Sequence, residues 1–98
     1  MTESSPVNGR HELDGSAVLL SIVVERPSIV FLQALLEGYD GLAIVKTVDE
    51  MRGIVALITT RDNEQTCWDL LNSLSSEMPW RLWDGEIKTE ELLEYRER

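Results

Sequence analysis

Nucleophilic and metal chemistry needs a Cys, Ser or His set beside a base or beside other ligands. This chain holds one histidine, His11, and one cysteine, Cys67. His11 lies in the polar opening stretch MTESSPVNGRHELDG, and Cys67 falls on the apolar stripe of a predicted helix. Such a cysteine reads as a small buried hydrophobe, not a nucleophile. One Cys and one His build neither an internal disulfide nor a zinc site. Carboxylates near predicted strand ends, Glu25, Glu37, Asp40, Asp49 and Glu50, show no metal-ligand spacing and read as solvated loop charges. No catalytic residue, metal or cofactor is expected, and the chain reads as a non-enzyme. One segment remains as a candidate: EGYDGLAIVKTVD, Glu37 to Asp49. Gly38 reads as a left-handed helix stop and Gly41 as the turn into a strand. Tyr39 reads as packing under the corner and Asp40 as bonding nearby amides. Theirs are the only two side chains of the corner open to a ligand.

The elements that would position these residues follow from apolar spacing. Ser16 to Glu25 is β-branched and apolar on both faces, as in a central strand. Arg26-Pro27 ends it, because Pro27 lacks a donor and can open a helix. Ser28 to Glu37 has helical spacing at Ile29, Leu32, Leu35 and Leu36, with Val30, Phe31 and Ala34 widening the stripe. Leu42 to Asp49 is a second strand and Ile54 to Thr60 a third, joined as a hairpin through Glu50 to Gly53. Asp62 to Met78 is a second helix, with Asp62 and Gln65 as a capping box. After Pro79, Trp80 to Trp83 is a short fourth strand, with Trp80 and Leu82 on one face and Arg81 and Trp83 on the other. Thr89 to Arg98 is a short amphipathic tail helix carrying Leu92, Leu93 and Tyr95.

This order, βαββαβ, predicts an α+β, ferredoxin-like sandwich: an antiparallel sheet ordered 4-1-3-2 with both helices on one face. The domain runs from 16 to 84, between a disordered tail at 1–15 and the helical segment at 85–98. The two strands that read apolar on both faces are the two that this order makes central. Helices cover only one sheet face. Leu19, Val23, Val55 and Leu57 are assigned to one face, and Val18, Leu20, Ile22, Ile54, Ala56 and Ile58 to the other. Either set left open would be a large exposed apolar patch. A homodimer or a protein partner is expected to cover it; the other reading puts the tail helix, through Leu92 and Leu93, over it.

Composition narrows the partners further. The 98 residues suit one domain, 43% hydrophobic and 28% charged. The formal net charge of −9 repels phosphate backbones and anionic bilayers. No nucleic acid and no membrane is expected as a partner. Arg52-Gly53 has the start of an RNA-recognition motif, but Ile54, Val55, Ala56 and Leu57 supply no aromatic for base stacking. No glycine-rich anion loop with a paired Arg and Asn follows the first strand, so the acylphosphatases of this topology give no match. The opening stretch has no apolar core for a secretory signal, and a reducing cytoplasm is the expected location. Trp68, Trp80 and Trp83 read as packing residues, with one of them open to an interface role.

Two family likenesses follow from these residues. ERPSIVFLQALLEGYDGLAIVKTVD followed by RGIVALITT resembles an ACT-type regulatory domain, in which a strand ends in a charged residue, Arg and Pro before a glycine opens the helix. Here Ser28 stands at the glycine position. The resemblance spans about Ala17 to Trp83. It implies a regulatory homodimer that takes a small molecule such as an amino acid between Glu25, Arg26 and Ser28 and the corner at Tyr39 and Asp40. GYDGLAIVKTVD with the downstream glycine-led strand also resembles a small bacterial family known only as a domain of unknown function. The matching residues are Gly38, Tyr39, Asp40, Gly41, Leu42, Ala43, Thr47, Asp49 and Gly53.

Overall fold

A computed structural model describes residues 9–38 and 41–85. The chain forms β1 (Arg10–Asp14), β2 (Ala17–Val24), α1 (Ser28–Gly38), β3 (Ile44–Asp49), β4 (Ile54–Thr60), α2 (Arg61–Leu74) and β5 (Trp80–Leu82). It is an α+β protein whose described residues form a five-stranded antiparallel sheet and two helices. No described helix is long and apolar enough to cross a membrane.

Strand β2 organises the sheet. One edge pairs with β4 from Ala17 opposite Thr60 to Val23 opposite Ile54. The other edge is shared by two strands. β1 takes its first half, with Arg10 opposite Leu20 and Glu12 opposite Val18. β5 takes its end, with Ile22 opposite Leu82 and Val24 opposite Trp80. The handover falls at Ser21, whose N–H donates to the Gly9 carbonyl at 2.7 Å and whose carbonyl accepts from the Trp83 N–H at 2.9 Å. Every backbone group of a buried strand needs such a partner. The order is therefore β1-β2-β4-β3, with β5 off that path. This path differs from the expected four-strand order 4-1-3-2 because β1 is an added fifth strand, while the four expected strands pair as β5-β2-β4-β3. That added strand corrects the disordered tail: residues 10–14 are a strand, and residues 1–8 lie outside the described residues. Asp14-Gly15-Ser16 before the apolar run supplied the turn signal alone.

Both helices pack on one face, over Val18, Leu20, Ile22, Val24, Val45, Val55 and Leu57. Ile29, Leu32 and Leu36 of α1 and Cys67 and Leu71 of α2 meet them there. On the opposite face Leu19 lies across from Ile58, Ser21 from Ala56 and Val23 from Ile54. The set Leu19, Val23, Val55 and Leu57 therefore does not share a face. Cross-strand partners point the same way, and Val55 and Leu57 oppose Ile22 and Leu20 under the helices. The second face is also not the open patch that was expected. Leu19 and Ile54 are 1% exposed and Ala56 is fully buried. The Ser21 hydroxyl is buried there without a hydrogen-bond partner. The tail helix at 89–98 lies outside the described residues.

Helix ends differ from the sequence reading in detail. Thr60, not Asp62, caps α2: its backbone is extended and its side chain accepts from the Asn63 N–H at 3.2 Å. Asp62 sits inside the first turn with Glu64, where acidic groups suit the helix dipole. The helix ends at Leu74, four residues before Met78, which still reaches the core. Gly38 is the last residue of α1, and the left-handed glycine of that corner is Gly41, at φ +64°.

The β3–β4 turn depends on a second left-handed glycine. Gly53 has φ +73°, and its carbonyl accepts from the Val24 N–H at 2.8 Å. A Cβ on Gly53 would lie 1.9 Å from the Val24 carbonyl oxygen, whereas one on Gly41 would meet nothing within 4 Å. Gly41→Ala is expected to lose about 1 kcal/mol, the left-handed penalty alone. Gly53→Ala adds a backbone clash and is expected to lose at least about 3 kcal/mol. Urea unfolding of the two variants measures the difference, and equal losses would contradict the Gly53 geometry.

Candidate functional site

The end of β2 and the start of β5 form a shallow cleft of about 240 Å³, lined by Val23, Val24, Glu25, Pro79, Trp80 and Arg81. Strand alternation decides what each residue offers. Trp80 and Leu82 turn toward the core, while Arg81, opposite Val23, turns out and is exposed. Glu25 follows the last residue of β2 and is exposed beside it. The cleft thus carries one anion and one cation beside Pro79 and Trp80.

Its walls are held firmly. The Trp80 indole N–H donates to the Leu71 carbonyl at 2.7 Å, and its ring lies 6.0 Å from that of Trp68. The Trp68 indole N–H donates to Glu64 at 3.0 Å. Glu64 in turn accepts two bonds from the Arg10 guanidinium, at 2.6 and 2.9 Å. A chain of contacts therefore runs from β1 through α2 to β5. On the other side of the cleft, the Glu25 carbonyl accepts from the Ser28 N–H at 2.8 Å and that of Arg26 from the Ile29 N–H at 3.1 Å. Pro27 holds this turn into α1.

Of the sequence-derived site, the structure describes Glu25, Arg26 and Ser28. Glu25 reaches the cleft, and Arg26 is exposed next to it. Ser28 is half-buried as the first residue of α1. Tyr39 and Asp40 lie outside the described residues. Their neighbour Gly38 is at the far end of α1, about 15 Å from Ser28 at 1.5 Å rise per residue. Two of the loop carboxylates serve the backbone: Glu37 accepts from the Val45 N–H at 2.9 Å, and Asp49 from the Arg52 N–H at 3.2 Å. Pro79, Trp80 and Arg81 were missed as site residues. Alternation in PWRL marks Arg81 as outward, but only the pairing of β5 with β2 sets it near Glu25.

The other ionic cluster is structural. Beside the Arg10–Glu64 fork, Arg10 contacts Glu12 at 3.3 Å and Arg61 contacts Glu12 at 2.5 Å. Arg61 also donates to the Gly15 carbonyl at 2.8 Å, tying the β1–β2 turn to the start of α2. Cys67 is buried beside Thr59, its Sγ 3.6 Å from the hydroxyl, and burial pushes its thiol above the ordinary range. Among the described residues no group of three or more His, Cys, Asp or Glu side chains could hold a metal ion.

The fold and cleft define a small α+β domain with a polar-rimmed surface depression. A model of the family described as Domain of unknown function (DUF4911) matches residues 22–78, more than half of the chain. The chain belongs to that family. No curated protein and no solved structure matches it.

The Arg10–Glu64 fork gives a pH test. The Arg10 hydrogen bonds hold the Glu64 carboxyl below the usual carboxylate range, and the Trp68 N–H adds to that effect. A depressed folded-state value contributes stability above the unfolded value of about 4.3. That contribution is lost as pH falls through the folded value. Glu64→Gln is expected to lower stability by about 1–2 kcal/mol at pH 7, with the fork partly screened by solvent. Its melting temperature should also vary less between pH 5 and about 2 than that of the wild type. Circular dichroism melts across that range check both effects, and parallel acid limbs would exclude the fork as a stabilising contact.

Proposed function

We propose that this chain is a non-catalytic regulatory module of ferredoxin-like, ACT-like topology that binds a small zwitterionic molecule, such as an amino acid. One observation carries the reading: Glu25 and Arg81 rim a cleft walled by Trp80 and Pro79. A ligand ammonium suits the carboxylate of Glu25. A ligand carboxylate suits the forked guanidinium of Arg81. The cleft of about 240 Å³ is smaller than the ~300–1,000 Å³ of drug-sized sites, which limits the occupant to a few heavy atoms beyond its charged groups. A charge-bearing loop after a strand, leading through Arg-Pro into a helix, is the ACT-like feature that supports the regulatory reading. The βαββαβ succession within β2 to β5 supports the ferredoxin-like one. A non-catalytic role fits Cys67, which is sealed in the core.

Thermal-shift screening against the amino acids and mononucleotides at millimolar concentration tests the proposal. A ligand at ~100 times its dissociation constant is expected to add ~2.7 kcal/mol of stability. Arg81→Ala and Glu25→Ala should each remove that gain, because both residues are exposed and neither supports the core. Absence of any shift across the panel would sink the reading.

A further inference from the structure

We propose that the outer face of α1 is an interface between two copies of this chain, packed as antiparallel helices about a two-fold axis. This goes beyond the ligand cleft and does not rest on it. Helix α1, SIVFLQALLEG, carries a single charged residue, Glu37. A helix apolar on all sides belongs in an interior, yet only one side of α1 is covered here. Ile29, Leu32 and Leu36 are buried, while Val30 is 71% exposed and Phe31 is 49% exposed. Ala34 and Gly38 are exposed with them. Val30, Phe31, Ala34 and Gly38 fall at helical spacing and form one stripe. Scattered exposed hydrophobics need no explanation. Here Val30 and Phe31 are adjacent and share that stripe, whereas Ile44, opposite Ile58, lies on the far sheet face and takes no part in it.

Charge placement selects the occupant. A helix favours acidic groups at its N-terminus and basic groups at its C-terminus. α2 obeys this, with Asp62 and Glu64 in its first turn. α1 reverses it: its first turn has no acidic residue, its last turn has no basic one, Arg26 precedes its start and Glu37 lies at its end. Both charges oppose their own helix dipole; Glu37 Oε2 also accepts from the Val45 N–H at 2.9 Å, and the exposed carboxylate and Arg26 are correctly placed for an antiparallel copy. In that pair Arg26 meets the partner's Glu37, twice by symmetry, and the two dipoles run head to tail. Ala34 lies near the centre of the stripe, so Phe31 of each copy can settle over the small residue of the other. The stripe and its two end charges sum to zero, which lets two chains of net charge −9 approach there. A helix of 11 residues is only about 16 Å long. That contact falls below the ~1,200 Å² of a standard stable interface, so the expected dimer is micromolar or weaker.

Sedimentation equilibrium of the full chain, from low micromolar to near-millimolar concentration, is the test. The wild type is expected to pass from monomer to dimer across that range. Phe31→Glu should leave a folded monomer, since the side chain is half-exposed and outside the core. Arg26→Glu alone should weaken association roughly fivefold, as two exposed pairs are lost. Combining it with Glu37→Arg should restore association. Circular dichroism melts confirm that each variant is folded. A monomer at every concentration, a dimer unmoved by Phe31→Glu, or a folded charge swap that fails to restore association overturns the proposal.

Discussion

Strand β2 is enclosed on every side, and the remaining elements are arranged to make that possible. Val18, Leu20 and Ile22 are fully buried under the helices, and Leu19 and Ser21 are buried on the reverse face. A strand in that position has no water to satisfy its amides. β4 supplies one complete edge. The other edge is too long for β5, a strand of three residues, so β1 takes the first half. The two meet at Ser21, where Gly9 and Trp83 each contribute one backbone bond. A Cβ on Gly9 would lie 3.0 Å from the Ser21 carbonyl oxygen and 3.1 Å from the Leu82 side chain, so glycine keeps this junction close.

The charged and aromatic contacts hold these edge strands in place. β1 and β5 are short, and short strands with few ladder bonds fray unless their side chains are anchored. Arg10 on β1 and Trp80 on β5 both lead to α2, one through Glu64 and the other through the Leu71 carbonyl and the Trp68 ring. The cleft at Glu25 and Arg81 is a by-product of this anchoring. Trp80 is fixed on its core side, which leaves the two exposed charges as the adaptable parts. On the opposite edge, β3 carries Lys46 and a register shift between Thr47 and Asp49. An edge charge and a bulge of this kind discourage strand addition.

Much of the element order was legible because apolar spacing is a local property. The central strands, both helices and the hairpin through Gly53 all follow from it, and β4 runs from Ile54 to Thr60 as read. β1 was hidden because Arg10, His11, Glu12 and Asp14 are polar, and polar alternation carries little strand signal. The partition of faces failed for a related reason. Alternation within β2 and within β4 is readable, but which set of one strand matches which set of the other depends on register. Pairing Leu20 with Leu57 puts Val55 and Leu57 under the helices.

By itself the sequence determined the class of structure: an acidic domain with two apolar central strands and two helices. Those conclusions rest on composition and short-range periodicity, which need no tertiary information. Tertiary structure decided where surfaces and sites lie. It set Arg81 near Glu25, separated Ser28 from the Gly38 corner by the length of a helix, buried the second sheet face, and left Val30 and Phe31 outside. Each of these depends on register, strand pairing or the covering of a face. Such contacts join residues far apart in the chain, and no local pattern encodes them.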